Sequence, residues 1–181
     1  IRKDVFDSVN PLMNIFPINN TGEKILLCFV LLFFITLTFF NSGIPFFWDS
    51  SLYCGISCFY YDNNFSSLLV SPDLDPAGSP MIYWMYLAAV WKIFGKTLLV
   101  SHLAVLPFLL GIVREYYKLA KRFLSPGMVV FALLLLLTEP TFLTQSIIMG
   151  YDVPKAYLFL LALIDKISNR CLLLKYDLPE F

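Results

Sequence analysis

Carboxylates stand beside apolar runs at three points of this sequence. Asp49 follows the first long run, in Trp48-Asp49-Ser50-Ser51-Leu52-Tyr53; Asp73 and Asp75 precede the next apolar stretch; Asp152 opens Asp152-Val153-Pro154. An ionisable group beside a membrane segment is costly to keep there and is a functional candidate by default. A carboxylate within reach of a hydroxyl can take its proton as the oxygen attacks. The same residues have plain structural uses, Asp49 as a helix cap and Asp152 as the residue that prepares a helix start at Pro154. Whether all three points face one side of a membrane decides between the two readings.

Other reactive side chains are scattered. Lys92 and Lys96 are placed either to snorkel toward lipid phosphate or to hold the phosphate of a lipid-linked substrate. Cys54 and Cys58 share a helix face at i,i+4, but His102 is the only histidine in the chain, so packing is the expected role of the thiols and no metal site is expected. His102 itself reads as a hydrogen-bonded packing residue, and Glu139 before Pro140 as a helix-end acid. Asn64 lies in an Asn-x-Ser sequon.

The elements that must position these residues are set by composition. Of 181 residues 59% are hydrophobic, 17% aromatic and 14% charged, with mean hydropathy +0.74. Soluble domains carry about 25% charged residues, so the reading is an all-α, polytopic helical membrane protein. The zero net charge gives no reason to expect a nucleic-acid partner. Residues 1–24 form a polar N-terminal segment. Ile25 to Phe40, extended through Ile44, approaches the roughly 20 residues of a spanning helix, and it lacks the small-residue cleavage site of a removable leader. Leu98 to about Tyr117 gives a second span, Gly127 to about Leu143 a third, and Pro154 to about Ile164 a fourth, with Thr141–Val153 as a short polar connection. Between the first two spans, residues 41–97 form a large loop with two short helices, one from Asp49 or Ser50 through Tyr60 and one over Met81–Gly95. Ser71–Pro80 is a rigid, turn-rich link between them.

Charge decides how 81–95 is placed. If it lies along the membrane surface, Arg2, Lys3, Lys24, Arg114, Lys118, Lys121, Arg122, Lys166, Arg170 and Lys175 share one side. That is ten of the thirteen basic residues, against Lys92, Lys96 and Lys155. If it spans, the Arg114–Arg122 cluster moves to the other side. The positive-inside bias favours the first arrangement. It puts Asp49, Asp73, Asp75, Asp152 and the Asn64 sequon on the non-cytoplasmic side, and residues 166–181 in the cytoplasm.

Taken in order, Trp48-Asp49, Asp75-Pro76-Ala77-Gly78-Ser79-Pro80, Trp91-Lys92-Ile93-Phe94-Gly95, and Pro140 through Ser146 to Asp152-Val153-Pro154 resemble the N-terminal part of the GT-C membrane glycosyltransferases. Within them the pattern is most similar to protein O-mannosyltransferases and lipid A aminoarabinose transferases, over residues 25–165. The resemblance implies transfer of a sugar from a polyprenyl-phosphate donor to an acceptor outside the cytoplasm, with no cofactor. It implies Asp49 as general base and Asp152 as a second residue of the same pocket. Asp75, Gly78 and Pro80 would shape that pocket; Lys92 and Lys96 are candidate contacts to the donor phosphate by position alone, since nothing in the family motif fixes them. It further implies an integral, multi-pass protein of a bacterial inner membrane or a eukaryotic endoplasmic reticulum, with membrane lipid and membrane proteins as partners. Ser50 and Ser79 depart from the pattern, which often has a second acid and a histidine there. Such enzymes are longer, so 166–181 is expected to lead into further spans. The alternative is a non-catalytic membrane subunit, or a truncated relative without activity.

Overall fold

The structure, a computed structural model, describes residues 21–47, 49–71, 73–74 and 81–176. Regular structure among these residues is helical throughout. In chain order it comprises α1 (Thr21–Asn41), α2 (Asp49–Asp62), α3 (Met81–Phe94), α4 (Leu98–Leu103), α5 (Leu106–Phe123), α6 (Pro126–Thr138), α7 (Pro140–Ile147) and α8 (Asp152–Tyr176). The expected pair of short helices, α2 and α3, therefore follows α1. The N-terminal segment through residue 20, Trp48 and the Asp75–Pro80 loop lie outside the described residues.

α1 is largely apolar, yet among its described side chains only the stripe Val30, Phe34 and Thr38 is buried, while Phe29, Leu32, Phe39 and Phe40 stay exposed. A helix that is hydrophobic all round and buried along one stripe is suited to lipid rather than water. Lys24–Asn41 and Leu98–Phe123 are each long and apolar enough to cross a membrane, and α6 with α7 would supply a third crossing if the bent pair is one span. At the expected fourth span, α8 has ample length, but Asp165, Lys166 and Arg170 cut its apolar run.

Proline sets the two departures from the expected boundaries. The stretch from Leu98 is jointed at Ala104–Val105, where α4 ends and Pro107 enters the first turn of α5. Proline has no N–H and crowds the carbonyl four residues back, here that of Leu103. Residues 141–147 form a helix, not the polar connection expected from their sequence. Pro140 stops α6 and opens α7 at 56° to it. The Glu139 carboxylate accepts from the Phe142 N–H at the new N-terminus, satisfying one of its orphan donors.

Two hydrophobic cores result. The first joins α1, α5, α6 and α8 through Val30, Phe34, Leu109, Val113, Val129, Leu133 and Val153. α5 and α8 approach closely because Gly111 has no side chain; a Cβ there would lie 2.3 Å from the Tyr157 ring. The second core is aromatic and joins α2 to α3 through Ile56, Tyr60, Tyr83, Trp84, Leu87 and Trp91. Within it the Ser57 hydroxyl donates to the Trp84 carbonyl at 2.8 Å, and Trp91 Nε1 donates to Ser101 Oγ at 2.8 Å. α2 and α3 run in the same sense, since Tyr53 meets Trp84 and Tyr61 meets Trp91. Gly95, at φ +92°, ends α3, a backbone conformation open to glycine.

Candidate functional site

Asp49 is the first residue of α2 and Asp152 the first of α8. Both are exposed, and both sit where helix N–H groups favour negative charge. The turn at 148–151 brings them to one place. Ser50, buried beside Asp49, lies 3.4 Å from where a Cβ on Gly150 would stand. The Tyr151 ring packs edge-on against Tyr53 of α2 at 5.9 Å and against Trp84 of α3 at 6.3 Å.

Tyr151 is the residue that the sequence reasoning missed. Its phenol is pushed above its ordinary range by burial first, then by the negative charge of Asp152 and of Asp49. Both carboxylates therefore act on one hydroxyl. Lys155 closes the cluster, with Nζ 4.5 Å from the Tyr151 ring centroid and 3.8 Å from Asp152 Oδ1. The available signal was adjacency, because Tyr151 immediately precedes Asp152. Chemically, the group offers two solvent-accessible proton acceptors, a phenol and an ammonium around one aromatic floor. That set can bind a polyhydroxylated molecule and take a proton from it.

Lys92 and Lys96 gather elsewhere, at the other end of α2 and α3. Lys92 Nζ donates to Asn64 Oδ1 and sits 4.3 Å from the Tyr61 ring centroid. Lys96 lies over Tyr61 and Trp91 at 5.3 and 5.5 Å. A hydrogen bond to Cys58 is the main cause raising the Lys96 ammonium pKa; Cys58, Asp62 and Tyr61 also raise it by charge, against burial. Asp49 and Asp62 bound a helix about 20 Å long at 1.5 Å per residue, and no hydrogen bond or ion pair among the described residues links this lysine pair to Asp49 or Asp152. The expectation of one site holding all four residues is thus divided: the carboxylates converge, and the lysines form a second cluster.

The other candidates have plain surroundings. His102 is buried, with Nε2 3.0 Å from the Ile44 carbonyl and the Ile147 backbone also beside the ring, so it ties the ends of α1 and α7 to α4. Cys54 and Cys58 are free thiols. Burial raises the Cys54 pKa, Cys58 adds to this, and Lys96 opposes it. Asp73 is exposed on the link after α2. Asp75, Gly78 and Pro80, expected to shape the pocket, lie outside the described residues. Compared with protein-family models, curated proteins and solved structures, the chain shows no significant match.

Proposed function

We propose that this chain is the N-terminal module of a multi-pass membrane glycosyltransferase, using a polyprenyl-phosphate-linked sugar on the non-cytoplasmic side. The observation that carries the reading is the meeting of Asp49 and Asp152, each at a helix N-terminus, around Tyr151. In this mechanism an acceptor hydroxyl oxygen attacks the anomeric carbon of the donor. The bond from that carbon to the phosphate oxygen breaks, and polyprenyl phosphate leaves with the electron pair. Asp49 takes the hydroxyl proton. Asp152 and Tyr151 orient sugar or acceptor by hydrogen bonding. α2 and α3 lie at the membrane interface, where tryptophan and tyrosine are favoured. Lys92 and Lys96 hold lipid phosphate at the far end of that pair.

Two measurements test this. Asp49→Asn in the full-length protein is expected to abolish sugar transfer from a lipid-linked donor while leaving donor binding intact; unchanged transfer removes Asp49 as the base. Single reporter cysteines at 49, 118 and 152, in a background without the four native thiols, report sidedness through an impermeant thiol reagent. Positions 49 and 152 are expected to label from outside, and 118 only after permeabilisation.

A second reading is favoured by one observation. Both carboxylates occupy the first position of a helix, where an acid has a purely structural use, and Asp152 already has Lys155 at 3.8 Å. In that case the chain is a non-catalytic membrane subunit. Asp49→Asn would then lower thermal stability and leave transfer by the assembled complex unchanged.

A further inference from the structure

Glu139 is the one charged residue between Arg122 and Asp152. It stands exposed at the elbow of α6 and α7, and α1 gives its depth. One turn beyond it, the Phe142 ring packs edge-on against Phe34 of α1 at 5.9 Å. Within the candidate crossing Lys24–Asn41, Phe34 lies about 15 Å from Lys24 and about 10 Å from Asn41 at 1.5 Å per residue. With α6 and α7 as one broken crossing, Glu139 falls near the middle of a hydrocarbon layer about 30 Å thick. Ionisable groups at that depth are costly and almost always paired.

The face that leads to Glu139 is patterned as a helix seam. Val129 and Leu133 are buried in the first core. On the other side of α6, Met128, Phe131 and Leu135 are 51%, 54% and 55% exposed, and Thr138, also exposed, continues the row. Steps of three, four and three residues are those by which one helix packs along another. We propose that this face receives a membrane-spanning helix of a partner protein, one that carries a lysine or arginine at mid-depth to pair with Glu139.

Charge selects the occupant. The Glu139 carboxylate accepts from the Phe142 N–H and lies beside the Thr141 N–H and hydroxyl. Such donors suit an ionised acid but bring no opposite charge, and among the described residues no cation forms an ion pair with Glu139. Arg114 and Lys118 engage Glu115 at 3.5 and 2.7 Å, and Lys155 sits 3.8 Å from Asp152. α6, α7 and α1 beyond Lys24 contain no basic residue. A second copy of this chain fits less well, since the same face would set Glu139 against Glu139. Lipid tails would match the apolar row and leave the carboxylate unpaired. The inference rests on α6 and α7 crossing a membrane and not on the transferase reading, because Glu139 has no part in the Asp49–Asp152 cluster.

The test places the full chain, with a donor dye at its N-terminus, in phosphatidylcholine vesicles with acceptor-labelled synthetic helices. These leucine–alanine probes of about 20 residues carry a central lysine, a central leucine, or a lysine near one end. Energy transfer should show the central-lysine probe bound about tenfold more tightly than the leucine probe. Glu139→Gln keeps an oxygen for the Phe142 N–H and should bring the two probes to near parity. Equal binding of these two probes by the unaltered chain overturns the proposal, as does a lysine preference that survives Glu139→Gln. Preference for the end-lysine probe overturns it by putting Glu139 at the membrane surface. Energy transfer between copies of the chain, with no probe bound, overturns it in favour of self-association.

Discussion

Tyr83→Phe should stabilise this protein. The Tyr83 hydroxyl is fully buried in the α2–α3 core and has no hydrogen-bond partner among the described residues. The ring itself is well placed, 4.9 Å from Trp84 and 6.5 Å from Phe108, and phenylalanine keeps those contacts. Burying a hydroxyl without compensation costs about 1–3 kcal/mol by mutational measure. Removing it should therefore recover about 1 kcal/mol or more, a rise in the thermal midpoint of about 2–4 °C per kcal/mol for a chain of this size. Tyr86 gives an internal control one helical turn away, since its hydroxyl donates to the Ala104 carbonyl at 3.0 Å. Tyr86→Phe should lose about 0.5–1.5 kcal/mol. Opposite signs from two identical substitutions on one helix are hard to obtain by any general effect on packing. Tryptophan fluorescence during heating or denaturant titration in micelles reads both, because Trp84 is fully buried in the same core. If Tyr83→Phe destabilises as much as Tyr86→Phe, the Tyr83 hydroxyl has a bound partner and the reasoning fails.

Two further outcomes follow from the same contacts. Burial holds the phenols of Tyr83, Tyr86, Tyr60 and Tyr151 above their ordinary value of 10.0. The folded state then keeps protons that the unfolded state releases, so this contribution is complete below pH 10 and is lost as pH rises past it. The thermal midpoint should fall as pH rises above about 10, and less steeply in Tyr83→Phe. Gly111→Ala should cost about 1–3 kcal/mol through overpacking, because its Cβ would stand 2.3 Å from the Tyr157 ring; Tyr157→Ala in the same chain should recover part of that loss in a double-mutant cycle.

The long apolar runs were legible because a helix apolar all round needs no partner to be recognised, and Ile25–Phe40 is such a run. α2 and α3 were legible from capping and aromatic patterning. The short helix α7 was not, since Glu139-Pro140 punctuates the sequence equally well as an end or as a beginning. Only the Glu139 carboxylate on the Phe142 N–H makes it a beginning. Likewise, charge and length raise the expectation that Asp49 and Asp152 share one side of a membrane, but nothing in either segment brings them around one phenol. That depends on Gly150 lying against Ser50 and on Tyr151 packing against Tyr53 and Trp84, contacts between residues far apart in the chain. The position of the lysine pair was not legible for a related reason. Because α2 and α3 run in the same sense, the C-terminal end of α3 lies with Tyr61 and Asn64 and away from Asp49.

Asp49 and Asp152 belong to different cores, one carried on α2 within the aromatic unit and the other on α8 within the bundle. Their separation is fixed at the seam between the two, where Phe108 touches Tyr83 and Tyr86 on one side and Tyr157 on the other, at 6.5, 5.3 and 6.0 Å. Phe108→Ala removes three ring pairs worth about 0.5–1.5 kcal/mol each beyond area, so about 3 kcal/mol of seam contact in all. His102 on Ile44 and Tyr151 on Trp84 remain to hold the units together. The variant should therefore keep both cores but loosen their docking. Spin labels at 49 and 152 should show a broadened distance distribution, with Trp84 fluorescence retained. An unchanged distribution accompanied by loss of the Trp84 signal would mean that Phe108 supports the aromatic core itself. In that event the geometry of the two carboxylates is set by the Ser50–Gly150 and Tyr53–Tyr151 contacts alone.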